Sequence, residues 1–216
     1  KETFLSEAEI IEVSAKTGQN IERLRQKLFE LAKEVKEKRT APEIFRIPVD
    51  RVFTIDGFGT VATGTLTEGS ICEGDEFEIY PSRIRTKVRN LQVHGQKTSK
   101  ALAGQRTAVN ISGIKKEKIK KGDVLAAPGS MVNTMMLDTE INMFKSSKRS
   151  IKNGSRVHFH YGSAEVLCKV VLLDKDELGP GETGLAQMRF DEELALKRGD
   201  RFVVRFYSPV ESIGGG

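Results

Sequence analysis

The chain has 216 residues, of which 38% are hydrophobic and 30% charged, with a formal charge of +5. That length supports one large domain or two small ones, each with its own core, and no apolar run approaches the ~20 residues of a membrane-spanning helix. Cys72 and Cys168 have no C-x-x-C partner and no adjacent histidine pair, which argues against a disulfide framework and against a metal site. Residues 1–9 carry acids where an export signal would be apolar, so a cytoplasmic protein with reduced thiols is expected.

Residues 10–14, with Ile10, Ile11 and Val13, read as a short buried strand. Apolar residues then fall at Ile21, Leu24, Leu28, Leu31 and Val35, the spacing of one face of a helix. Asn20 is suited to cap its start, and Lys36, Lys38 and Arg39 suit its carbonyl end. Pro42 breaks the helix and opens a linker.

From Ile44 onward the helical period disappears. Ile47, Val49, Val52 and Ile55 supply apolar faces, and Asp56–Gly57 is a strong turn signal between two strand-like runs. Further runs lie at 76–80, 87–94, 107–111, 156–160, 166–173 and 201–207. Gly74–Asp75, Gly122–Asp123 and Gly199–Asp200 each feed a strand, and turn residues cluster at 127–130. The pattern predicts a mainly β chain: two small β-barrels over 41–130 and 131–216, behind a strand–helix segment over 1–40.

Arg83, Arg85, Lys87 and Arg89 alternate with Ile84, Thr86 and Val88, which on an extended strand puts four cations on one face. Lys145, Lys148, Arg149 and Lys152 form another basic run. Both are candidates for phosphate contacts that carry no base specificity. The lysines between Lys115 and Lys121 read as a solvated loop. His158 and His160 share a strand face, but two histidines do not make a metal site.

The stretch from Arg46 to Leu66, with Asp50–Arg51, Asp56–Gly57, Gly59–Thr60 and Gly64, resembles the opening of the second domain of translational GTPases. Within that group it is most similar to the selenocysteine-specific elongation factor family. Val13, Ser14, Ala15 and Lys16, between a strand-like run and a helix, resemble the last guanine-contacting motif of such GTPases. The resemblance implies the end of an α/β GTPase domain followed by two barrels of the elongation factor type, with the last strand, from Pro209, cut short. It implies that Asp50, Arg51, His94 and Arg106 surround the amino-acid end of a charged tRNA. Elongation factor Tu has two acids and an asparagine where Asp50–Arg51 and Arg106 stand. The added cations suit a selenocysteine side chain, whose selenol is anionic at neutral pH, over the neutral hydroxyl of serine.

The implied partners are selenocysteyl-tRNA, the ribosome and, through domains outside this chain, an mRNA hairpin. GTP and Mg²⁺ are expected in the full-length parent. No G-x-x-x-x-G-K-[ST] loop occurs in the sequence, so no enzymatic activity and no cofactor are expected of this chain alone. The alternatives are another translational GTPase, such as a general elongation or initiation factor, and a protein-interaction barrel that binds no RNA.

Overall fold

The computed structural model describes residues 8–34, 44–208 and 210–216. The described residues up to Glu34 belong to one compact unit and those from Ile44 onward to another. In the first, α1 (Ile21–Glu34) is the predicted helix, with Ile21, Leu28 and Leu31 exposed. Its expected basic end at 36–39 and the linker after it lie outside the described residues.

Two expectations fail in this unit. Residues 10–14 form no strand: Ile10 is 87% exposed, and among the described residues the one bridge here joins Ser14 to Gln19. A strand needs a neighbour for its backbone groups, and none pairs with it among the described residues. Asn20 does not cap the helix with its side chain. At φ 56 it lies in the left-handed region, and its Nδ2 donates to the Glu12 carbonyl at 2.9 Å. The segment is tied to α1 by Glu9, which pairs with Arg23 at 2.8 Å and Lys27 at 3.2 Å.

The first barrel is built from β1 (Arg46–Ile55), β2 (Gly59–Thr65), β3 (Ser70–Cys72), β4 (Glu76–Tyr80), β5 (Ile84–Val93), β6 (Gln96–Thr98), β7 (Lys100–Leu102), β8 (Arg106–Ile111) and β9 (Val124–Ala126). The order β4-β9-β1-β2-β8-β5 closes into a six-stranded ring because β5 returns to β4, and β6 extends the sheet from β5. Closure leaves no edge within the ring. Ile47, Val49, Phe77, Ile79, Leu91 and Val109 fill the interior.

β1 departs from simple alternation. Val49 pairs with Gly64 and Arg51 with Thr63, so Asp50 is the extra residue of a bulge. Without the bulge, Ile47 and Val49 would carry Phe53 and Ile55 into the core with them. With it, Val52 packs against the core, while Phe53 and Ile55 stay 37% and 41% exposed on the outer face. Gly64 completes the close crossing. A Cβ there would stand 2.1 Å from the Pro48 carbonyl oxygen and 2.7 Å from Ile47 Cγ2. Gly64→Ala is therefore expected to destabilise the chain by about 2–3 kcal/mol in urea unfolding. A loss of only a few tenths would show that β1 moves aside freely.

The second barrel comprises β10 (Asn133–Met143), β11 (Ile151–Lys152), β12 (Arg156–Tyr161), β13 (Ala164–Leu172), β14 (Glu177–Leu178), β15 (Thr183–Ala195), β16 (Phe202–Phe206) and β17 (Ser212–Gly215). Its ring, β10-β15-β13-β12-β16-β17, is closed by the pairing of β17 with β10. In β12, Val157, Phe159 and Tyr161 point inward between Arg156, His158 and His160. Phe159 stacks on Phe202 at 4.7 Å and meets the edge of Phe190 at 5.1 Å.

The three Gly–Asp turns share one construction. The Asp75, Asp123 and Asp200 carboxylates accept the backbone N–H three residues earlier, at 2.7, 2.9 and 2.8 Å. The last of these turns also joins the barrels. Asp200 takes both ends of the Arg46 guanidinium at 2.6 Å each, and Lys197 reaches Glu68 at 2.8 Å, itself 3.6 Å from Arg46. Tyr80, Val124, Ala126, Met131 and Ala195 form an apolar cluster at this joint, and Ser163 Oγ donates to the Val49 carbonyl.

Candidate functional site

The bulge that reverses β1 also aims Asp50 outward. Arg106, at the start of β8, donates to both of its carboxylate oxygens, Nη1 to Oδ2 at 2.5 Å and Nη2 to Oδ1 at 2.9 Å. Thr63 Oγ1 donates to Oδ1 at 2.9 Å, so the carboxylate is held from two strands. Burial pushes the Asp50 carboxyl upward, but the bonds from Arg106 and Thr63 and the nearby charge of Arg51 outweigh it and hold it below its ordinary range. Arg51 is exposed, sits opposite Thr63, and makes no ion pair or side-chain hydrogen bond among the described residues.

His94 occupies the tip of the β5–β6 hairpin with Gly95. Both have positive φ, 53 and 77, the conformation of a tight two-residue hairpin turn. Val93 pairs with Thr107, so the hairpin sets the His94 backbone just beyond the rung next to Arg106. Three of the four expected residues are thus joined by contact, charge or register at the bulge, and the fourth stands at the neighbouring strand end.

The outward turn of Phe53 and Ile55 has a second consequence. With Phe58, Val61, Gln92 and Asn110 they line an open groove of about 240 Å³ on the outer face of the barrel. Arg51 and Thr63 lie one row along the same strands from Phe53 and Val61. Asn110 is 7% exposed; its Nδ2 donates to the Phe58 carbonyl at 2.8 Å, which leaves its buried Oδ1 without a partner. Neither this groove nor the role of Thr63 stands out in the sequence, because it is the bulge that turns Arg51, Phe53 and Ile55 of β1 to the face of Thr63 and Val61.

The basic rows are less free than their spacing suggests. Arg83 is off the strand at φ 63, and its guanidinium lies over Tyr80, bonds the Met131 carbonyl at 3.0 Å and meets the buried Glu78 at 3.0 Å. Arg85 and Lys87 stand opposite Glu78 and Glu76 in register, and Arg89 follows at a second bulge, with a long 3.4 Å bond to the Phe58 carbonyl. The alternation of four cations on one face therefore breaks at its first member. In the second barrel, Arg149 bonds the Ser208 carbonyl at 3.0 Å and covers the Phe206 ring at 4.0 Å, and Lys152 lies 3.8 Å from Glu177. Lys145 and Lys148 are exposed.

His158 Nδ1 sits 2.9 Å from Glu165 and stacks on Tyr207 at 5.5 Å. Among the described residues no group of three or more His, Cys, Asp or Glu side chains converges as a metal site would require. Ser14 Oγ accepts the Thr17 N–H at 3.3 Å, while Ala15 and Lys16 are exposed in the same loop. No helix among the described residues is long and apolar enough to cross a membrane.

Residues 59–126 match the family described as Elongation factor Tu domain 2, so the first barrel is of the translation elongation factor class. Residues 138–216 match the family described as Selenocysteine-specific elongation factor, beta-barrel domain. The chain is 44% identical to the selenocysteine-specific elongation factor of Desulfomicrobium baculatum, over 99% of this chain and 34% of that protein. It superposes with a TM-score of 0.82 on the crystal structure of the bacterial selenocysteine-specific elongation factor EF-Sec, 31% identical, over 96% of this chain and 33% of the other. Elongation factor SelB from Methanococcus maripaludis, apo form, gives a TM-score of 0.80 at 26% identity, over 95% of this chain and 49% of the other. The chain belongs to the selenocysteine-specific elongation factor family, and it spans about a third of the length of the first of these relatives.

Proposed function

We propose that this chain is the tRNA-binding portion of a GTP-dependent cytoplasmic factor that delivers selenocysteyl-tRNA to the ribosome. In this reading residues 1–40 are the end of the GTPase domain, and 41–130 and 131–216 are its second and third domains. The observation that carries it is the bulge site. Two arginines, Arg51 and Arg106, and one carboxylate, Asp50, leave one unit of positive charge at the outer face of the first barrel. A selenolate meets that charge with an opposite one, whereas a serine hydroxyl brings none and loses hydration without an ionic partner. His94 supplies a further donor at the strand end.

The groove next to the site suits the rest of the ligand. The amino acid is esterified to the terminal ribose, so the last nucleotide must lie within a few ångströms of it. Phe53, Ile55, Phe58 and Val61 provide apolar contact for the face of a base. Arg89 and Lys148 are exposed basic side chains available to phosphates. The chain's part in nucleotide binding is confined to Ser14, Ala15 and Lys16 at the edge of a guanine. The phosphate and Mg²⁺ ligands belong to the parent outside this chain, and its mRNA hairpin contact does too.

The test is affinity for one tRNA body charged with selenocysteine or with serine. The expected result is a preference of about tenfold or more for selenocysteine that collapses in Arg106→Ala. Equal affinity for both ends in the unaltered chain would remove the selenolate pocket and leave a barrel that holds tRNA without reading its amino acid.

A further inference from the structure

The Asp50–Arg106 pair has the geometry of a ligand complex formed within the chain. A guanidinium presents two parallel N–H groups that match a carboxylate, and here both are taken by one. We propose that Asp50 is a specificity residue that excludes carboxylate side chains from the pocket by occupying the fork of Arg106, with Thr63 as the positioning residue that keeps it there. This rests on the selenolate reading of the same site.

Charge alone does not separate selenocysteine from aspartate, since both side chains are monoanions at neutral pH. Hydration and shape do. A carboxylate is small, hard and strongly hydrated, and leaving water is favourable for it only where several donors replace that water in a planar arrangement. Asp50 has taken the one such arrangement at the site. What remains is the charge of Arg51 and the unoccupied side of Arg106, which suit a single large, weakly hydrated atom better than a two-oxygen plane. Thr63 enforces this from β2: its hydroxyl donates to Oδ1, the same oxygen that accepts from Arg106 Nη2, so the carboxylate resists rotating out of the fork.

The experiment measures affinity of the full chain for tRNA ended with selenocysteine, serine or aspartate, for the unaltered protein, Asp50→Ala and Thr63→Val. Thermal melts establish that each variant is folded. The expected result is that Asp50→Ala binds the aspartyl end about tenfold or more tighter than the unaltered chain does, because the fork opens to the ligand's carboxylate. Thr63→Val should move the same way by a smaller factor. If the unaltered chain prefers selenocysteine to serine but both variants still reject the aspartyl end, Asp50 is not the filter and the proposal is overturned alone. If the unaltered chain shows no preference between selenocysteine and serine, the pocket itself is absent and both readings fall.

Discussion

Arg46→Ala is expected to destabilise the two-barrel unit by about 3 kcal/mol. Arg46 is 6% exposed and donates to both carboxylate oxygens of Asp200 across the joint. Removing one partner of a buried ion pair leaves the other without its counter-charge, which costs more than the intact pair contributes. The loss stays near the lower end of the range because Asp200 keeps the Lys197 N–H and Glu68 keeps Lys197 Nζ.

The same pair predicts a pH signature. Burial works to raise the Asp200 carboxyl, but the bonds from Arg46 and Lys197 prevail and hold it below its ordinary value. A group depressed on folding stabilises fully above its unfolded value, about pH 4, and that contribution drains away as the pH falls through the folded value. Urea unfolding curves of the unaltered and Arg46→Ala chains should therefore differ most near neutrality and converge in acid. A difference under 1 kcal/mol at pH 7, or one that stays constant into strong acid, would contradict this role for the joint.

Much of this architecture is legible in the residues. Val157, Phe159 and Tyr161 alternate with polar neighbours and do point into a barrel, and the Gly–Asp pairs do mark turns. The sequence of β1 is misleading for a specific reason. One inserted residue at Asp50 exchanges the faces of everything after it, and alternation cannot reveal a bulge whose extra residue is itself polar. That single residue hides the groove of Phe53 and Ile55 and the bond from Thr63. The strand expected at 10–14 fails for a different reason: an apolar run defines a strand only when another strand pairs with it. Arg83 fails in a third way: it takes a left-handed turn conformation, and its guanidinium goes to Glu78 and the Tyr80 ring instead of joining the row. The joint between Arg46 and Asp200 spans 154 residues, a separation at which single-sequence patterns carry no information.

In the proposed function the site at the bulge reads charge. Of the available ligands, a selenocysteine and its Se-methyl derivative differ least in shape while differing by one full unit of charge, and both keep the selenium atom. The methylated end should be a poor ligand: it brings no charge to Arg51 and Arg106 and adds a methyl group where the arginines must otherwise be desolvated for nothing. Because Asp50 stays ionised well below neutrality, the charge of the pocket does not change during the comparison. The decisive measurement is the affinity of the chain for one tRNA ended with selenocysteine, with Se-methylselenocysteine and with serine at neutral pH. The methylated end is expected to bind about as weakly as the serine end, about tenfold or more below selenocysteine. A methylated end that binds as tightly as selenocysteine would contradict it, and would assign recognition to the size and softness of selenium rather than to its charge.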